Sequence, residues 1–311
     1  MPRSLAQNRR GIIDMSGAMA LFIANDALVK LVSASLPSLQ LIFLRGVAAC
    51  VLMLAVCQVM GVFKRATPQD PLPARQLLQP KVLMRATLDA SASLIYLTAL
   101  FHMPLGNATA INMATPLVIT IMAVVLLHEH VGLARWLAIG VGFVGVILIV
   151  QPASEGFNAW ALLCLAGTLL HAARDLMTRV IPQSVPSLLI TLSTVLSVCL
   201  FSGVLSLFQG WQAFNAHHIT LLASAGVLLS GGYFLLIRSM RSGEMSLIAP
   251  FRYTGLLFAL LLGWWLWGDV PNTLAFFGIA LLVGAGLYML MGQRKTAPPA
   301  PPSSVLDAAA D

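Results

Sequence analysis

Apolar residues fill this chain in runs of about twenty, broken by short polar or proline-bearing stretches. At roughly 1.5 Å of rise per residue, a run of that length crosses the hydrocarbon core of a bilayer as a helix. Periodicity adds little, because a helix in lipid is apolar nearly all round. The runs predict ten helices, at about residues 12–32, 38–60, 82–101, 105–127, 134–150, 160–178, 187–208, 218–237, 245–267 and 273–291. Thr296 to Asp311 is rich in Pro, Ala and Ser and reads as a disordered tail.

Composition narrows the class. Of 311 residues, 59% are hydrophobic and only 9% are charged. A soluble domain is nearer a quarter charged, which excludes a water-soluble helical core. The net charge of +7 raises the question of nucleic acid, and its distribution answers it. With the N-terminus cytoplasmic, Arg3, Arg9, Arg10, Lys64, Arg65, Arg75, Lys81, Arg85, Arg135, Arg174, Arg179, Arg238, Arg241, Arg294 and Lys295 all fall on inner segments or inner helix ends. That is the positive-inside pattern, so the expected partner is the lipid bilayer and not nucleic acid, with both termini cytoplasmic. Removing one helix would move the later basic residues outside. Trp160, Trp211, Trp264, Trp265 and Trp267 fall near outer helix ends and Trp136 near an inner one, as interfacial anchors do. Cys50, Cys57, Cys164 and Cys199 lie within apolar runs and read as buried hydrophobes, with no disulfide framework. No removable signal peptide is expected, since the first apolar run contains Asp26 and leads to no cleavage pattern.

The chain also matches itself. Asp26, Lys30 and Ser35-Leu36-Pro37-Ser38-Leu39 recur, at an offset of 149, as Asp175, Arg179 and Ser184-Val185-Pro186-Ser187-Leu188. The same register pairs Leu21 with Leu170, Ala24 with Ala173 and Cys50 with Cys199. Five helices per half is an odd number, so equivalent helices would cross the membrane in opposite directions. The prediction is an all-α integral membrane protein, its ten transmembrane helices forming two inverted five-helix repeats. The organisation reads as a cytoplasmic segment 1–11, repeats 12–151 and 152–292, and a cytoplasmic tail 293–311.

Ionisable groups inside spans are costly and mark function. Counted from the helix ends at 1.5 Å per residue, Asp26 and Arg45 reach similar depth in the outer part, which makes them an expected pair. Lys30 stands one turn from Asp26, a contact worth only tenths of a kcal/mol. Asp175 and Arg252 fall in the inner half with Asp89 slightly deeper, and such groups must pair or line a wet cavity. His171 lies one turn before Asp175 on the same side and is a proton-relay candidate. Asn25, Asn112, Thr109, Thr115 and Tyr253 are further cavity candidates, and Pro116 and Pro250 remove backbone donors mid-span, which can open a helix near a site. The alternatives are structural ion pairs that orient helices, and snorkelling side chains.

Two motifs fail on context. Gly140-Val141-Gly142-Phe143-Val144-Gly145 fits GxGxxG, yet it sits inside an apolar helix with no preceding strand, so helix packing explains it better. His128-Glu129-His130 puts its histidines on different faces of a turn, a poor metal site. No metal or other cofactor is expected, and the absence of a P-loop argues against ATP-driven transport by this chain.

The duplicated halves, Arg45 early in the second helix, Glu129 and Asp269 after the fourth and ninth, Ala114-Thr115-Pro116-Leu117 and Pro250-Phe251-Arg252-Tyr253 together resemble the drug/metabolite transporter superfamily, in its EamA-type ten-helix branch. That resemblance covers about residues 12–291. It implies a basket of helices with a central cavity in a bacterial-type inner membrane, exchanging a small organic metabolite by alternating access, with possible coupling to protons, as a monomer or homodimer. It also implies an acid at the two loop positions, although His128-Glu129 and Gly268-Asp269 depart from the familiar Gly-Glu. The Pro-Phe-Arg-Tyr segment is similar to carriers of S-adenosylmethionine or riboflavin; exporters of amino acids or drugs fit equally. The expected site takes a polar or zwitterionic metabolite near Asp26, Arg45, Asp89, Asp175 and Arg252, with His171, Tyr253 and Asn112 at its edge. A non-transporting scaffold and a membrane enzyme are the competing classes, the latter without a nucleophile or metal constellation to support it.

Overall fold

The computed structural model describes residues 5–63, 73–127, 132–151, 158–178, 180–182, 184–242 and 249–294. Arg179, the His128-Glu129-His130 turn and the Thr296–Asp311 tail lie outside these. Every regular element among the described residues is helical: α1 (Leu5–Val32), α2 (Ser38–Val59), a short α3 (Pro73–Leu77), α4 (Pro80–Leu100), α5 (Leu105–Asn112), α6 (Thr115–Leu127), α7 (Leu133–Val150), α8 (Trp160–Thr178), α9 (Ser187–Gln209), α10 (Ala216–Ser242), a 3₁₀ turn (Ala249–Tyr253), α11 (Thr254–Trp267) and α12 (Thr273–Arg294).

Prolines set several of these boundaries. Pro37 and Pro186, equivalent in the repeat, precede α2 and α9 with nearly the same backbone (φ −55°, ψ 138° and φ −59°, ψ 135°). A proline there loses no helical hydrogen bond, because the first turn's N–H groups have no partner within the helix. The predicted helix 105–127 breaks in two at Met113 and Ala114, just before Pro116, and the predicted 245–267 is visible as the 3₁₀ turn bearing Pro250 followed by α11.

Among the described residues, five stretches are long and apolar enough to cross a membrane: Arg9–Val32, Ser38–Val59, Leu105–Met122, Ser187–Gln209 and Ala216–Leu236. Helices α4 and α8, of 21 and 19 residues, have the length but carry Asp89 and the Arg174-Asp175 pair. The outside of the bundle is strongly apolar. Val51, Leu200, Phe208, Trp265 and Phe277 are each more than half exposed. Such a surface suits lipid and not water.

Helix packing runs mainly between the two sequence halves. Helix α1 packs on α10 and its counterpart α8 on α4; α2 packs on α9 and α7 on α12; α2 meets α10 as α9 meets α4; α1 meets α11 as α8 meets α6. Exchanging the halves maps each of these contacts onto another, or onto itself. At the α2–α9 crossing, a Cβ on Gly46 would lie 3.2 Å from the Cα of Cys199. At the α7–α12 crossing, a Cβ on Gly145 would lie 2.6 Å from the carbonyl oxygen of Gly278. The GxGxxG segment therefore supplies a backbone-to-backbone contact, as small residues do between membrane helices.

Candidate functional site

The break at Met113 and Ala114 and the 3₁₀ turn Ala249–Tyr253 both open onto one cavity of about 440 Å³. In the first, α5 stops at Asn112, and the Thr115 hydroxyl donates to the Asn112 carbonyl at 2.6 Å. In the second, the Thr254 hydroxyl donates to the Phe251 carbonyl at 2.7 Å. Each threonine thus satisfies a carbonyl left over where regular helix gives way, the condition for irregular backbone at membrane depth. Asn112, Thr115 and Pro116 from one interruption and Arg252 and Tyr253 from the other line the cavity. A proline-bearing helix break in one half and a proline-bearing 3₁₀ turn in the other point to a binding site.

The charges on its wall fall into two groups. In the first, Arg45 on α2 is 5% exposed, and its Nη1 reaches Asn25 Oδ1 on α1 at 3.4 Å. Asn25 Nδ2 in turn donates to Asp26 Oδ1 at 2.9 Å. Among the described residues no ion pair within 4.0 Å joins Asp26 to Arg45. The expected direct pair is thus replaced by an amide spacer: Asn25, 1% exposed, occupies the interval between them. Arg45 Nε is buried with no acceptor among the described residues.

In the second group, Arg174 on α8 holds two carboxylates. Its Nη1 lies 2.5 Å from Asp89 Oδ1 on α4, and its Nη2 lies 2.8 Å from Asp175 Oδ1. Arg85 stands 3.9 Å from the other Asp89 oxygen and also donates to the Thr178 hydroxyl at 2.8 Å. The inner cluster expected to join Asp175 and Asp89 with Arg252 is therefore organised by Arg174 instead. Arg252 lines the cavity half-buried and makes no ion pair among the described residues.

The other anticipated residues find varied partners. His171 Nδ1 lies 3.0 Å from Asn112 Oδ1, tying α8 to the end of α5, and its ring centroid is 5.8 Å from that of Tyr96. Tyr253 is buried with its hydroxyl over Gly286 of α12, where a Cβ would collide with it. Asp89, 1% exposed, is not part of the cavity lining and stands behind it, bonded to Arg174, which is. Lys30 does not meet Asp26: its ammonium donates to the Met103 carbonyl and lies 4.9 Å from the Trp267 ring centre. Asp269 begins the loop after α11, its N–H bonded to the Gly263 carbonyl at 3.1 Å, away from the cavity wall.

Arg174, Tyr96 and Tyr233 also line the cavity and were missed as site residues. Signals existed for them. Arg174 is the repeat counterpart of Asn25, and three of the chain's four tyrosines (Tyr96, Tyr233 and Tyr253) face the cavity.

A largely apolar cavity carrying charged and hydrogen-bonding groups, walled by both halves of an apolar-surfaced helical bundle, defines a membrane protein with an internal solute site. The profile of the EamA-like transporter family matches residues 9–151 and again 158–291, and the chain belongs to that family. It is therefore a multi-pass membrane protein and, at the family level, a small-molecule transporter of the drug/metabolite type. A riboflavin transporter of Rhizobium johnstonii is 29% identical over 68% of this chain and 70% of its own length. An S-adenosylmethionine uptake transporter of Rickettsia bellii is 23% identical over 88% of this chain and 90% of its own. The pseudopaline exporter CntI of Pseudomonas aeruginosa is 25% identical over 85% of this chain and 90% of its own. One crystal structure shares the fold at a TM-score of 0.62 and 17% identity, covering 92% of this chain and 99% of that one.

Proposed function

We propose that this chain is a secondary transporter that carries a small organic metabolite across the inner membrane by alternating access. Ten crossings arranged as two inverted five-helix repeats, with both termini cytoplasmic, fit the distribution of Lys and Arg and the exchange symmetry of the helix contacts. The observation that carries the reading is the shared cavity: its wall takes charged and hydrogen-bonding residues from both halves and from both helix interruptions. A site on the interface between two matched bundles is the arrangement that rocking can expose to one side and then the other. Asp26, which lacks an ion-pair partner among the described residues, is the acid best placed to exchange a proton with the cavity.

The test is solute flux into proteoliposomes with and without an imposed pH gradient, starting from riboflavin, S-adenosylmethionine and pseudopaline. Saturable flux of a small metabolite, lost in Arg45→Ala and Arg252→Ala at normal protein levels, is the expected result. If both variants transport normally, the site assignment fails. Insensitivity to the gradient excludes obligatory proton coupling. Export is the second reading of direction, supported by the similarity to an exporter; sidedness of flux in oriented vesicles decides it.

A further inference from the structure

Seven charged groups meet in or behind the cavity wall, and they do not have equal freedom. Arg174 is saturated by Asp89 and Asp175, and Asp89 has Arg85 at 3.9 Å on its other oxygen. Two arginines and two carboxylates there cancel, leaving the α4–α8 side of the wall neutral. Arg252 is only half-buried, so its charge keeps solvent. Asp26 and Arg45 differ from all of these. They are opposite charges on neighbouring helices, both on the wall, and the buried Asn25 amide holds them apart.

Opposite charges held apart in a low-dielectric site are costly unless something else completes them. Arg45 makes the need specific, because its Nη1 reaches Asn25 only at 3.4 Å and its Nε has no acceptor among the described residues. The ligand that matches the side of a guanidinium is a carboxylate, which takes two parallel N–H donors. The dyad sums to zero, so a simple anion would leave Asp26 uncompensated and a simple cation would leave Arg45 uncompensated. Only a ligand that is neutral overall but charged at both ends completes both.

We propose that Arg45 and Asp26, split by Asn25, recognise an amphoteric amino-carboxylate, with the carboxylate on Arg45 and the ammonium on Asp26. The rest of the molecule lies against Phe22, Tyr96 and Tyr233, which line the same cavity. At about 440 Å³ the space holds a ligand considerably larger than the recognised head group. The assignment rests on the transporter reading for its biological role and names the substrate class of that site.

Binding tests it without requiring transport. Purified protein in nanodiscs is titrated, by calorimetry and thermal shift, with glycine, L-methionine, L-lysine and L-tryptophan, and with the N-acetyl and amide form of each. The N-acetyl form keeps the carboxylate and loses the ammonium; the amide does the reverse. At least one free amino acid should bind, and each of its derivatives should bind about tenfold more weakly or worse. Arg45→Gln should erase the discrimination against the amide, and Asp26→Asn that against the N-acetyl form, with unchanged size-exclusion profiles. Because the derivative series is run on the unaltered protein, it decides the matter even if a variant misfolds. Equal binding of free and blocked forms, or binding by no member of the series, overturns the proposal. Transport of a metabolite lacking this head group would overturn it and leave the transporter reading standing; amino-carboxylate binding without flux would do the opposite.

Discussion

Arg174 Nη1 lies 2.5 Å from Asp89 Oδ1, joining α8 to α4 across the two halves of the chain. The same guanidinium holds Asp175, so its removal leaves Asp175 without that partner and Asp89 with only the weaker contact to Arg85 at 3.9 Å among the described residues. Breaking a buried pair from one side costs about 3–5 kcal/mol, because the remaining charge has no compensation. Arg174→Gln should therefore lower the unfolding midpoint sharply in detergent. Replacing Arg174, Asp89 and Asp175 together by apolar residues of similar size should recover much of the loss. If the single substitution leaves the midpoint within error, the cluster does not support the fold.

Tyr253 depends on the absence of a side chain at Gly286. A Cβ there would collide with the phenol. Gly286→Ala should displace Tyr253 towards the cavity, costing about 1–3 kcal/mol as overpacking and weakening substrate binding. Gly286→Ala combined with Tyr253→Leu should relieve the clash and recover part of the stability but not the binding. A double-variant melting series with a parallel ligand titration separates the two.

Gln40 is fully buried and clasps the segment between α9 and α10 with both ends of its amide. Its Nε2 donates to the Gln212 carbonyl at 2.8 Å, and its Oε1 accepts from the Gln212 N–H at 2.9 Å. Leucine would fill the volume but leave both backbone groups unpaired, a loss of about 1–3 kcal/mol. Gln40→Leu should also raise amide exchange at Gln212 specifically, which mass-spectrometric exchange can read.

The cross-half packing predicts how the chain behaves when cut. Residues 1–154 and 155–311 expressed together as separate chains should reassemble into a species that melts like the intact protein. Each expressed alone should fail to accumulate in the membrane. Stable accumulation of either half alone would contradict the contact pattern.

Much of this architecture was legible because lipid imposes it. Apolar runs gave the helices, and the offset between Asp26 and Asp175 gave the duplication. Pro116 and Pro250 marked the two interruptions because a missing N–H is a property of one residue. The rarity of intramembrane charge brought Asp26, Arg45, Asp175 and Arg252 forward, and all four line the cavity. Partnership was harder to read. Counting residues along a helix fixes depth but not rotation, so Asp26 and Arg45 came out level without any sign that Asn25 lies between them. Arg174 was counted as an interfacial cation, since nothing local indicates that Asp89, 85 positions earlier, reaches it. Glu129 lies outside the described residues.

The pairing of α1 with α10 also sets a timetable for synthesis. Arg238 reaches Asp14 at 2.6 Å across 224 positions of sequence. As the ribosome feeds helices into the bilayer, α1 arrives with its acid and waits through nearly the whole chain for its partner. Until α10 is inserted, Asp14 stands towards lipid or towards whatever chaperone shields it. A nascent chain stalled midway therefore carries a visible defect inside the membrane, which gives a quality-control protease a chemical basis for telling an unfinished copy from a finished one.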